Sequence, residues 1–320
     1  MTTGPTSRGA PPVPGPVRRW VLGARPRTLA AAVVPVVVGT AAAHPLQTTA
    51  GLPGHSWWYA LGALVVALAI QVGTNYANDY SDGIRGTDDA RVGPLRLVAS
   101  GLAPATAVRR AALIAFGVAG VVGLALAWAT SWWVLAVGAA CLAAGWLYTG
   151  GPRPYGYAGL GELFVFVFFG LVATVGTYYV QTLRLDRWPV WLAAALVGLL
   201  ATALLLANNL RDIETDRQTG KRTLAVRTGR RAGGWLYVAC VTLPFAVALV
   251  WGVWSVATGA PVHPAAPFLP LLAAPLAAAP LGLAVGDASG RALLPVLGAT
   301  GRLQLAFGVL LAASLWLWIW

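Results

Sequence analysis

Most of the chain's capacity for chemistry falls in two short stretches, NYANDYSDGIRGTDD at Asn75–Asp89 and NNLRDIETDRQTGKRT at Asn208–Thr223. Of the 10 acidic residues, Asp79, Asp82, Asp88, Asp89, Asp212, Glu214 and Asp216 lie here, with every asparagine: Asn75, Asn78, Asn208 and Asn209. Asn75, Asp79 and Asp82 are spaced i, i+4, i+7, and Asn208, Asp212 and Asp216 are spaced i, i+4, i+8. On helices each set forms one polar stripe. Four carboxylates facing one cavity would repel each other and any phosphate. Divalent cations remove that conflict, and magnesium typically binds through one or two carboxylates plus substrate phosphates. One Mg2+ per stripe, two in all, would bridge Asp79, Asp82, Asp212 and Asp216, with Asn75 and Asn208, to a diphosphate. Asn78 and Asn209 extend the same polar patches as substrate contacts. Arg211, Lys221 and Arg222, one turn or one loop away, are placed to take the remaining phosphate oxygens. Asp88, Asp89 and Glu214 lie off the stripes and read equally well as solvated loop residues.

A metal-held diphosphate among apolar helices is prepared to leave. Metal and cation contacts stabilise the departing pyrophosphate, and exclusion of water protects the allylic cation left behind. Tyr76, Tyr80, Tyr148, Tyr155 and Tyr157 are near enough in sequence to face such a cation, although each alone reads as interfacial packing.

The elements that must position these residues are membrane helices. The chain has 320 residues, 58% of them hydrophobic and 10% charged, with mean hydropathy +0.70. That composition marks an all-α integral membrane protein in contact with a lipid bilayer. Nine segments are long enough to span it, at roughly 28–45, 57–77, 107–128, 131–149, 159–181, 189–209, 234–255, 267–286 and 302–320. Pro35, Pro244 and the series Pro267, Pro270, Pro275 and Pro280 are expected to kink their helices. With the amino terminus in the cytoplasm, the inner loops collect all of the 22 basic residues except Arg184 and Arg187. This bias puts both acidic stretches at the cytoplasmic face of a multi-pass plasma-membrane protein and the carboxyl terminus outside.

The same bias accounts for the net charge of +12 without nucleic acid, because no single folded basic face collects the arginines. Cys141 and Cys240 sit inside apolar runs with no metal-ligand spacing. His44, His55 and His263 fall in short linkers away from the acids, which excludes a histidine metal site. Residues 1–17 are rich in Pro, Gly and Thr and read as a disordered tail ahead of one domain at 18–320. They lack the pattern of a cleaved signal peptide. A cation-coupled transporter is the alternative class, but transporter acids sit near the bilayer midplane, whereas these acids end their spans.

Beyond the acids, a series of motifs runs through nearly the whole chain after the tail. They are ARPRTL at Ala24–Leu29, the first acidic stretch, VGPLRLVASG at Val92–Gly101, YTGGPRPYGYAGLGE at Tyr148–Glu162, NNLRDIETD at Asn208–Asp216, GKRTLAV at Gly220–Val226 and LLPVLGATGRLQLAFG at Leu293–Gly308. In this the chain resembles the UbiA-type intramembrane prenyltransferases, in their 1,4-dihydroxy-2-naphthoate polyprenyltransferase branch. The resemblance implies one bundle of nine transmembrane helices with its pocket capped by cytoplasmic loops. It also implies that Asn75, Asp79, Asp82, Asn208, Asp212 and Asp216 bind magnesium and diphosphate. The reaction implied moves a polyprenyl chain from polyprenyl diphosphate to 1,4-dihydroxy-2-naphthoate, with loss of CO2, in menaquinone biosynthesis. Another aromatic acceptor is the nearest variant of that reading. An anionic acceptor needs a cationic partner, for which Arg153 and Arg27 are the candidates. One departure stands out: Gly86 occupies the place where many members carry a third aspartate, four residues after Asp82.

Overall fold

The computed structural model describes residues 14–49, 57–88, 93–259, 263–286 and 288–317. Every regular element among them is helical. They are α1 (Pro16–Gly23), α2 (Ala30–Thr49), α3 (Trp57–Ile84), α4 (Ala105–Ala129), α5 (Val134–Leu147), α6 (Gly161–Thr182), α7 (Trp188–Gln218), α8 (Leu224–Ala257), α9 (Ala266–Val285) and α10 (Gly290–Trp316). The expected tail at 1–17 falls mostly outside the described residues, and its last two residues already begin α1. Asp89 and His55 also lie outside them.

The nine expected apolar segments overlap α2 to α10, the last of them running past the described residues. Seven, α3, α4 and α6 to α10, are long and apolar enough to cross a membrane. An eighth candidate joins Pro16–Thr28 to Ala30–His44 through a 55° bend. α5 has 14 residues, about 21 Å, which falls short of a hydrocarbon core of about 30 Å. The chain is an integral membrane protein. α3 and α7, at 28 and 31 residues, are by contrast longer than the core requires, so their polar last turns extend past the apolar layer.

Proline and glycine shape the bundle locally. The proline series tightens Ala266–Ala277 into narrow three-residue turns before α9 closes as an α-helix. Pro244 lies inside α8, but the break in that helix is at Gly229, whose φ of 83° is non-helical. α6 opens into wide π turns over Phe166–Val172. There a Cβ on Gly170 would fall 2.5 Å from Gly198 Cα of α7, so only glycine permits this approach. His44 belongs to α2 rather than to a linker, and its ring stacks on Trp316 at 3.4 Å.

Two apolar cores result. The larger is built from α2, the second half of α6, and α7 to α10, around Tyr178, Tyr237 and Phe307. The smaller joins α3 and α4 to the 95–103 loop around Tyr76, Leu97 and Phe116. Stripe one is carried on the edge of the small core and stripe two on the edge of the large one.

Candidate active site

α3 and α7 present their polar ends to one cavity of about 820 Å³. Asn75, Asn78 and Asp82 enter its wall from α3, and Asn208, Asn209 and Asp216 from α7. Lys221 ties the two sides together, its Nζ 2.9 Å from Asp82 Oδ2. Its position follows from how α7 ends. Gly220 adopts φ +77°, Lys221 N–H donates to Asp216 O at 2.8 Å and Gly220 N–H to Arg217 O at 3.4 Å. This αL glycine closure turns the chain back across the helix end, and Thr223 then caps α8 by accepting from Val226 N–H at 3.4 Å.

The asparagines are oriented by different neighbours. Asn75 donates its amide hydrogens to Ala24 O (2.9 Å) and Thr28 Oγ1 (3.2 Å), and Asn209 donates to Glu162 Oε1 (2.9 Å). In both, protein acceptors hold the amide nitrogen and leave the carbonyl oxygen to other partners. Asn78 is reversed: its Oδ1 accepts from the Thr149 hydroxyl at 2.7 Å, leaving its amide hydrogens outward. Asn208 Oδ1 is buried with no hydrogen-bond partner. A carboxylate cannot donate, so Glu162 fixes which end of Asn209 faces in.

The four aspartates divide into pairs. Asp82 and Asp216 line the cavity, whereas Asp79 and Asp212 do not. Asp79, fully buried, accepts from the backbone N–H groups of Leu97 (2.7 Å) and Val98 (3.0 Å) in the α3–α4 loop. Asp212 accepts two bonds of 2.7 Å from the Arg211 guanidinium, both side chains buried. Arg211 in turn packs against that loop: a Cβ on Gly93 would sit 3.1 Å from its Nη2. The loop thus lies across both stripes. Helical geometry explains the α3 split, since at about 100° per residue Asp79 points roughly 60° away from Asp82.

Asp82 meets three side chains at the cavity. Besides Lys221 it accepts from the Tyr157 hydroxyl at 2.6 Å and lies 3.6 Å from Arg96 Nη2. Burial, and then the Asp82 charge beside it, push the Tyr157 phenol up, so it stays protonated and donates. Arg96 Nε also pairs with Asp88 at 3.0 Å. Asp88 accordingly holds Arg96 and does not line the cavity. Glu214 is exposed and paired with Arg217, the solvated reading.

Among the cations expected at the site, Lys221 lines the cavity and Arg211 faces Asp212. Arg222, Arg153 and Arg27 are exposed and outside the cavity wall. Their places are taken by Arg96 and Arg25, which were not singled out in advance although both sit in quoted motifs, VGPLRLVASG and ARPRTL. Arg25 holds a left-handed backbone (φ 55°), and its Nε and Nη2 are buried without hydrogen-bond partners. Of the tyrosines, Tyr148, Tyr155 and Tyr157 line the cavity. Tyr76 is turned away, donating to Trp20 O at 2.8 Å, and Tyr80 leans on Trp146.

No group of three or more His, Cys, Asp or Glu side chains is placed to hold a metal among the described residues. The donors present are nevertheless of the right kind. Two cavity carboxylates and several amide oxygens, one of them unpartnered, form an all-oxygen set that suits magnesium when a diphosphate supplies the remaining ligands.

Comparison with known proteins gives the family and the fold. The UbiA prenyltransferase family matches residues 32–291. A 1,4-dihydroxy-2-naphthoate octaprenyltransferase of Mycobacterium tuberculosis is 47% identical over 303 residues, covering 93% of this chain and 96% of that protein. The Escherichia coli protein of the same name is 35% identical, covering 94% and 96%. Among solved structures, a UbiA homolog from Aeropyrum pernix K1 superposes with TM-score 0.61 at 16% identity, covering 88% of this chain and 96% of that one. A UbiA homolog from Archaeoglobus fulgidus bound to DMAPP and Mg2+ gives 0.57 at 15% identity, covering 92% and 99%. These two carry the fold alone. The sequence match, running almost end to end, carries the family: the chain belongs to the UbiA prenyltransferase family.

Proposed function

We propose that this protein transfers a polyprenyl chain from its diphosphate to 1,4-dihydroxy-2-naphthoate, with loss of CO2 and diphosphate, giving the quinol form of demethylmenaquinone. The observation that carries the reading is one cavity that joins a polar end of carboxylates, amides and cations to a long apolar interior. The names of relatives up to 48% identical supply the acceptor.

Asp82 and Asp216, with the carbonyl oxygens of Asn75, Asn208 and Asn209, would hold Mg2+, two ions in the reading given by the two stripes. When bound, magnesium neutralises the diphosphate and makes it a better leaving group. Asn78 offers amide hydrogens, and Lys221 and Arg96 offer charge, to phosphate oxygens. Tyr148, Tyr155 and Tyr157 flank the carbon from which the diphosphate departs, where an aromatic face stabilises positive charge. The apolar wall keeps water from the allylic cation. The bond from the prenyl carbon to oxygen breaks, and a bond from that carbon to the ring forms. The electrons of the ring–carboxylate bond return to the ring as CO2 leaves, so no base is needed at that carbon. Arg25, half-buried at the cavity wall with Nε and Nη2 free of hydrogen bonds, is better placed than Arg27 or Arg153 to receive the acceptor's carboxylate.

The nine helical passes, the cytoplasmic position of the site and its cap, an amino terminus inside and a plasma-membrane location complete the reading. The placement of all basic residues but Arg184 and Arg187 supports them. The test incubates membranes containing the protein with labelled polyprenyl diphosphate and either dihydroxynaphthoate or 4-hydroxybenzoate. Prenylated product from naphthoate alone, abolished by chelation and restored by Mg2+, is expected. Product from hydroxybenzoate alone, or product that persists after chelation, overturns the acceptor or the metal respectively.

A further inference from the structure

The polar end accounts for a small part of the cavity. The rest runs along the helices, and its far limit is defined by side chains the reaction does not use. Thr149 bonds to Asn78 and Glu162 to Asn209, so both mark the depth of the polar end. Trp133 precedes Thr149 by 16 residues, about 24 Å at helical rise. Tyr179 follows Glu162 by 17 residues, about 25 Å. The two paths arrive at the same depth, and there Trp133 Nε1–H donates to Tyr179 Oη at 3.1 Å with rings edge to face at 5.6 Å. Leu185 and Trp191 line the cavity beside them, and Trp191 is fixed by donating to Leu185 O at 3.0 Å. From the polar end to this aromatic pair the cavity wall therefore runs about 24 Å.

Between these ends the wall contains four helix-interior glycines, Gly120 and Gly123 of α4, Gly138 of α5 and Gly176 of α6. A Cβ added to any of them would meet nothing within 4 Å. None has a positive φ, so neither backbone conformation nor close packing calls for glycine there. Gly145 in the same wall differs, since its Cβ would lie 2.7 Å from Thr74 Oγ1. Glycine inside a helix weakens it relative to alanine. What these four positions provide is width in the cavity.

We propose that Gly123, Gly138 and Gly176, with the Trp133–Tyr179 pair at the end, determine the length of prenyl tail the enzyme accepts. The glycines keep the channel wide enough for a long chain, and the aromatic pair marks where a tail must stop or turn out toward lipid. This inference rests on the reading of the protein as a prenyltransferase.

The test uses the full-length protein with dihydroxynaphthoate and Mg2+ and a series of geranyl, farnesyl, geranylgeranyl and octaprenyl diphosphates. The readout is the ratio of kcat/KM for octaprenyl to that for geranyl diphosphate. Gly138→Leu and Gly176→Leu are expected to lower this ratio by roughly tenfold or more, the scale on which a few methylenes in an apolar pocket discriminate. Trp133→Ala and Tyr179→Ala are expected to raise it. Geranyl turnover in each variant reports on folding. If a leucine variant gives none, Gly138→Ala and Gly176→Ala, whose added Cβ has open space, are expected to shift the ratio the same way by less. A ratio within about twofold of wild type in both glycine series would overturn the assignment while leaving the transferase reading intact. Failure of the wild-type protein to prenylate naphthoate with any diphosphate would overturn both.

Discussion

The two polar stripes look alike in sequence, an asparagine followed by two aspartates on one helical face, yet they are wired differently. On α3 the middle acid, Asp79, is spent on two backbone amides of the α3–α4 loop. On α7 the middle acid, Asp212, is matched by Arg211 next to it in sequence, which braces that loop from the other side. In both, the last acid of the stripe, Asp82 or Asp216, faces the cavity. The contrast teaches that a repeated motif can divide its labour, one acid holding the cap and the other facing the substrate.

The largest expected effect separates these roles. Asp82→Asn or Asp216→Asn should lower turnover by about 10³-fold, the scale of losing one preorganised electrostatic group. Activity within tenfold of wild type in either variant would remove that acid from the chemistry. Next come the middle acids. Asp212→Asn leaves a buried guanidinium without its partner and should cost about 3–5 kcal/mol of stability. Asp79→Asn, which keeps one acceptor oxygen and faces the other backbone amide with an NH2 group, should cost about 2 kcal/mol. Denaturation of the purified variants measures both. A large loss of turnover with unchanged stability would make the middle acids ligands like the outer ones.

Smaller effects sharpen the comparison. If Glu162 acts by aiming Asn209, Glu162→Gln keeps an acceptor and should stay within about threefold of wild type, whereas Glu162→Ala should lose about tenfold in kcat/KM. Equal losses in the two would point to the carboxylate charge itself. Tyr157→Phe removes one hydrogen bond to Asp82 and should reduce turnover by about fivefold, the equivalent of about 1 kcal/mol. The phenol stays protonated across the neutral range because burial and Asp82 hold its pKa high. The pH profile of Tyr157→Phe should therefore keep the wild-type shape, and a lost limb would overturn the donor role.

Much of the fold was legible beforehand. Long apolar runs identify themselves by composition, and the proline series in α9 announced its irregular turns. α1 was not anticipated, because the eight residues PVRRWVLG are too short and too mixed to stand out from a polar tail. The break in α8 appeared at Gly229 rather than Pro244 because a φ of 83° interrupts a helix more completely than a proline that neighbours accommodate. At the site, spacing alone put Asn75, Asp82, Asn208 and Asp216 on two helical faces, which the structure brings to one cavity. Arg25 and Arg96 were missed because one arginine among many in the inner loops carries no distinguishing pattern until the fold buries it.

The sequence by itself determined the class of protein, the apolar segments and the polar faces of α3 and α7, since hydropathy and helical periodicity are local properties. Only the tertiary structure decided which acids reach the cavity, which arginines join them and which end of each asparagine points inward. Those outcomes depend on partners far along the chain: Leu97 and Val98 for Asp79, Lys221 for Asp82, Thr149 for Asn78 and Glu162 for Asn209. A buried polar group takes its direction from whatever can satisfy it, and that neighbour is known only once the helices are packed.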